Sequence, residues 1–151
     1  MVLLSILDHY VRRDPEDERV VGALLGSIGE NGEAEVRTSF PVTLILRDDE
    51  TVGMDFDYFK TVLDLHQRVN PKEGVIGWYA TGTEIALEDC AMHEQYAMAV
   101  RQITKEPLNP FFLAVDTSLQ NDRLGYRAYA RCVPGASLPL CVRRVLTLTH
   151  F

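Results

Sequence analysis

Residues 74 to 95, "GVIGWYATGTEIALEDCAMHEQ", run an apolar stretch straight into Glu88, Asp89, Cys90, His93 and Glu94. Those residue types could serve a metal centre or a thiol nucleophile. A catalytic zinc needs about three converging protein ligands, most often with two histidines at fixed spacing. Only His93 is at hand, since His9, His66 and His150 are each distant and alone. A lone helical histidine is normally a hydrogen-bonded side chain of the core. The thiol reading is sharper. With Asp89 as an N-cap, Cys90 opens a helix running to about Gln102, where the dipole and free N–H groups lower a thiol's pKa. His93 follows at the i+3 position as a candidate base. The alternative is that Cys90 is a small side chain packing the helix onto a sheet. The carboxylates of "DPEDE" (14 to 18) and "DDE" (48 to 50) fall in polar turns with no apolar wall to separate their pKa values. Gly22, Gly26 and Gly29 lie within or at the end of a strand pattern, not between strand and helix. They therefore permit close packing or bulges and do not form a phosphate loop.

The elements that would position these residues are legible in the apolar periodicity. Leu3, Leu4, Leu7 and Val11 recur at helical spacing, which predicts an amphipathic helix over 2 to 11, broken at Asp14-Pro15. "RVVGALLGSI" (19 to 28), "GENG" and "EAEVRTSFPV" (33 to 42) form a hairpin pattern whose first strand reads as buried on both faces. "LRDDETVG" reads as a polar loop. Phe56, Phe59, Leu63 and Val69 mark one face of a helix over 55 to 69, with Asp55 as N-cap and Asn70-Pro71 as stop. "GVIGWYAT" predicts a central strand and "PFFLAVDT" another. "GYRAYARCV" and "LPLCVRRVLTL" alternate at period two around "PGAS". The order α-ββ-α-β-α-β-ββ predicts an α/β (α+β) fold, a three-layer sandwich of a mixed central sheet flanked by helices, in one domain spanning 1 to 151.

The composition narrows the function classes. The 151 residues carry 15 basic and 22 acidic side chains, a net charge of −7, so a phosphate backbone would repel the chain. Direct nucleic-acid binding is not expected. No run approaches the ~20 apolar residues of a membrane span. "MVLLSILDHYVRR" lacks a basic leader, and Cys90, Cys132 and Cys141 are odd in number and scattered, as suits reduced thiols in the cytoplasm.

"RVVGALLG", "SFPV", "NPKEGVIGWYATG" and "VDTSLQNDRLGYRAYARCVPG" resemble the MPN (Mov34/PAD1 N-terminal) domain over roughly 2 to 148. The resemblance is to the non-catalytic branch found in eukaryotic translation initiation factor three. In the JAMM metalloproteases of that family a glutamate opening the first strand activates water. Zinc is held by a His-x-His directly after "GWY" and by an aspartate further on. The resemblance puts Arg19, Ala80, Gly82 and His93 at those positions and Cys90 at the family's serine. Alanine and glycine offer no donor, and arginine is no base. The resemblance therefore implies no catalytic residue, no metal and no cofactor. It implies instead a scaffold subunit in translation initiation that heterodimerises with another MPN subunit, the h subunit of that factor. Further subunits of the complex join it, and the small ribosomal subunit is reached only indirectly. The family's C-terminal helical tail has no counterpart in 1 to 151, and "TLILRDDETVG" departs from the family segment. The family pairs through the N-terminal helix and the helix after the hairpin. On the latter, Tyr58 and Leu65 lie off the core stripe and are the candidate partner contacts, unless they belong to a wider face packed inside the domain. The rival readings are a residual or thiol-based ubiquitin isopeptidase using Cys90 and His93, and an MPN scaffold of the proteasome lid or signalosome.

Overall fold

A computed structural model describes residues 2–29, 34–46, 48, 52–82, 87–104, 110–118 and 125–129. The chain runs through helix α1 (Val2–Val11), strands β1 (Val21–Ile28), β2 (Ala34–Val42), β3 (Leu44–Leu46) and β4 (Val52–Met54), helix α2 (Phe56–Val69), strand β5 (Gly74–Thr81), helix α3 (Leu87–Thr104), and strands β6 (Phe111–Asp116) and β7 (Gly125–Tyr129). Five strands form one mixed sheet in the order β2-β1-β5-β6-β7. Among the described strands only β5 and β6 pair in parallel, as their joining by a crossover helix requires.

The buried side chains divide into two groups, one on each face of the sheet. Val21, Ala23, Leu25, Trp78 and Phe112 pack with Phe59 and Leu63 of α2 and with Met92, Tyr96 and Val100 of α3. Val20, Leu24, Ile76, Tyr79 and Leu113 pack with Val2 and Ile6 of α1. This is the expected three-layer α/β sandwich, with β1 covered on both sides and β5 in the middle of the sheet. Arg37 is an extra residue between the pairs Leu25↔Thr38 and Gly26↔Val36. That bulge moves the strand's inward parity from one face to the other, so that Val36 packs with α1 while Phe40 and Val42 pack with α2 and α3. A side chain at Gly26 would run into the carbonyl of Glu35 at this bulge, which is why the strand carries glycine there.

Four expectations need correction. The buried face of α1 is Val2 and Ile6, whereas Leu4 and Val11 are 63% and 70% exposed. On α2 the core stripe holds at Phe59 and Leu63, but Val69 is 77% exposed beside the C-cap Asn70. The predicted loop 46 to 53 is flanked by a two-stranded antiparallel ladder, Leu44↔Met54 to Leu46↔Val52, which takes in its ends. α3 begins at Leu87, so Asp89 lies inside the helix and is not its N-cap. The strand predicted from "LPLCVRRVLTL" falls outside the described residues, as does the second half of "GYRAYARCV".

Candidate functional site

The positions that the metalloprotease pattern would fill lie around the end of β5. Val21 pairs with Ala80, and one step further Val20 and Thr81 exchange hydrogen bonds. The Thr81 N–H donates to the Val20 carbonyl at 3.1 Å, and the Val20 N–H donates to Thr81 Oγ1 at 3.1 Å. Arg19 precedes Val20 and Gly82 follows Thr81 in the chain, so Arg19, Ala80 and Gly82 lie toward one end of the sheet. The Gly82 N–H donates to the Val115 carbonyl at 2.9 Å, with φ at 153°, in a region that favours glycine. Ala80 is buried in the layer beneath α2 and α3. Among the described residues no three His, Cys, Asp or Glu side chains converge on one point.

His93 takes a structural part. It is 1% exposed, and its Nδ1 accepts a hydrogen bond at 3.0 Å from Trp78 Nε1. Trp78 in turn stacks on Phe112 with ring centroids 4.2 Å apart. One turn on, the Tyr96 hydroxyl donates to the Gly77 carbonyl at 2.7 Å, and burial pushes that phenol's pKa well up. Two side-chain hydrogen bonds thus pin α3 to β5. A Nδ1 lone pair committed to Trp78 is not offered to a thiol or a metal. Cys90 closes the first turn of α3, and its side chain lies outside the described residues.

On the opposite face of β5, Tyr79 forms a second such link. Its hydroxyl lies 2.9 Å from His9 Nδ1 of α1, with the rings edge to face. Burial raises the Tyr79 pKa, and which of the two groups donates follows the His9 tautomer. Burial also lowers the His9 pKa, outweighing the raising influence of Asp8. Neither link was visible beforehand, although strand alternation alone sends adjacent Trp78 and Tyr79 to opposite faces.

His9 lines a cleft of about 310 Å³ between the C-terminal end of α1 and the start of α2, together with Asp17, Arg19, Thr43 and Tyr58. Tyr58 is 42% exposed and Leu65 56%, so neither is packed inside this domain. α2 is held in place at both ends. Asp55 caps it, accepting from the Tyr58 N–H at 3.1 Å, and the Asp55 N–H donates to the Thr43 carbonyl at 2.9 Å. At its far end His66 Nε2 meets Glu73 Oε2 at 2.7 Å, and Thr38 of β2 donates to the same oxygen. The helix therefore presents its outer face from a fixed position.

Comparison with known proteins gives this geometry a family. Residues 1–102 match the family model described as JAB1/Mov34/MPN/PAD-1 ubiquitin protease. The chain is 41% identical over 129 residues to the F-1 subunit of eukaryotic translation initiation factor 3 of Drosophila ananassae, covering 85% of this chain and 43% of that protein. It is 38% identical over 129 residues to the F subunit of the same factor in Dictyostelium discoideum, with the same coverage. With the F subunit of Culex quinquefasciatus it shares 41% identity over 133 residues, 88% of this chain and 43% of the relative. The chain thus spans less than half the length of these relatives. A three-layer sandwich with its Gly-Trp-Tyr strand at the centre, matched over two thirds of its length by one family model, belongs to the JAB1/Mov34/MPN/PAD-1 family.

Proposed function

We propose that this chain is a non-catalytic scaffold module of eukaryotic translation initiation factor three, acting in the cytoplasm by pairing with another MPN subunit, the h subunit of that factor. The observation that carries the reading is the outer face of α2, where Tyr58 and Leu65 stand exposed on a helix fixed at both ends. Exposed aromatic and aliphatic side chains on a rigid element are typical anchors of a protein interface. Leu4 and Val11 leave the outer face of α1 apolar as well. The relatives named as initiation-factor subunits favour this assembly over the proteasome lid or signalosome. Further subunits and, through them, the small ribosomal subunit complete the setting.

The same reading makes the chain no isopeptidase. Ala80 and Gly82 offer no metal donor, Arg19 offers no base, and Nδ1 of His93 is taken by Trp78. Mixing the chain with the h subunit's MPN domain and resolving the mixture by size-exclusion chromatography tests the proposal. A co-eluting complex that Leu65→Asp abolishes is expected. Separate elution of the two components at high micromolar concentration sinks the reading.

A further inference from the structure

We propose that a cleft at the start of β5 takes a basic side chain, arginine or lysine, presented by a partner protein. The cleft has a volume of about 390 Å³ and lies where the C-terminal ends of α2 and α3 meet the beginning of the central strand. It is thus at the opposite end of β5 from Ala80 and Gly82, and neither Tyr58 nor Leu65 lines it. Its lining changes character with depth. Leu63 and Val75, each 1% exposed, form the base, and the half-buried Ile103 packs against the same core. Asp64 and Lys72 stand exposed at the mouth, with Glu73 half-buried beside them. An apolar base under a charged mouth suits a side chain that is aliphatic along its stem and charged only at its tip.

The groups at the mouth set the sign of that tip. Two carboxylates face one ammonium there, and Lys72 pairs with neither Asp64 nor Glu73 among the described residues. Glu73 is held in place beforehand. Its contacts with His66 Nε2 at 2.7 Å and with the Thr38 hydroxyl at 3.2 Å both use Oε2, and no described residue donates to Oε1. The helix ends add charge of the same sign. Gln67 lies in the last turn of α2, and Ile103 and Thr104 end α3, where backbone carbonyls carry partial negative charge. An anionic tip would be repelled by all of these groups except Lys72 and His66, and a neutral tip would gain nothing from them. A free polyamine, charged along its length, would have to bury a charge against Leu63 and Val75, which favours a single side chain from a protein.

Titration of the full 151-residue chain with blocked amino acids, followed by nitrogen–proton correlation spectra, tests this. N-acetyl-arginine amide and N-acetyl-lysine amide should shift the amides of Gln67, Val75, Ile103 and Thr104. Saturation at about 1–10 mM is expected, weak because the flanking backbone of a partner is missing. The norleucine and glutamate counterparts should give no saturable shift. Asp64→Asn should weaken arginine binding about threefold, as the loss of one exposed charge pair does. Gln67→Arg, which brings a guanidinium to the cleft wall from within the chain, should abolish it. Tyr58→Ala should leave it unchanged, so that failure of the pairing through α2 would leave this site standing. Circular dichroism on each variant confirms the fold. No saturable shift up to about 50 mM, norleucine binding as well as arginine, or both cleft variants behaving as wild type overturns the proposal. Spermidine binding more tightly than blocked arginine assigns the cleft to a free polyamine and overturns it equally.

Discussion

At the residue scale, the polar side chains that join β5 to α3 serve cohesion. His93→Phe keeps most of the volume but leaves the Trp78 indole N–H buried with its acceptor removed. A buried donor stripped of its partner costs about 1–3 kcal/mol, so the urea midpoint should fall by that equivalent. His9 makes the complementary prediction through pH. Its folded pKa is lowered, so as pH falls the unfolded chain takes up the proton first. The His9 contribution is complete above the unfolded value of about 6.5, declines as pH drops through that value toward the folded pKa, and then levels off. Urea melts between about pH 5 and pH 7.5 should show this decline, and His9→Gln should flatten it. That Arg19, Ala80 and Gly82 stand where the family's donor set would be is an expectation the resemblance supplies from residue types. The use to which His93 is put was not readable from sequence, because a hydrogen bond between residues 15 apart depends on how α3 lies across β5.

At the element scale, end signals were the most informative part of the sequence. Asp55 announced the start of α2 and Asn70-Pro71 its end, and the helix runs between them as Phe56–Val69. Asp55→Ala should cost about 1 kcal/mol through the lost bond to the Tyr58 N–H, read as a lower thermal midpoint with an unchanged folded spectrum. Faces were less legible than ends. Apolar residues surround much of α1, so periodicity chose Leu4 and Val11 along with the partly buried Leu3, where docking buried Val2 and Ile6 most fully. Val69 satisfied the spacing of α2, yet it occupies the last helical position, past the side chains that meet the sheet. β3 and β4 escaped notice because each is three residues long, too short for alternation to register. Asp89 misled for a related reason, since a good cap residue inside the first turn of a helix looks the same in sequence as one at its start.

At the scale of the whole molecule, α2 separates stability from assembly on its two sides. Leu63 is 1% exposed in the core beneath the helix, whereas Leu65, two residues on, is 56% exposed above it. Leu63→Ala should therefore destabilise the fold by about 2–5 kcal/mol, the cost of a buried cavity. Leu65→Ala and Tyr58→Ala should leave stability within about 0.5 kcal/mol of wild type, as surface changes do. If α2 is the anchor of an interface, the pair of surface changes should nevertheless remove about 2 kcal/mol or more of binding, roughly a 30-fold loss of affinity for an MPN partner. Isothermal titration against that partner, set beside urea denaturation of the same proteins, reads both quantities. Binding loss that tracks stability loss would mean that the outer stripe supports the fold and not a partner. Loss of binding at constant stability would place the function of this domain on its surface, on a helix whose inner side the sheet has already claimed.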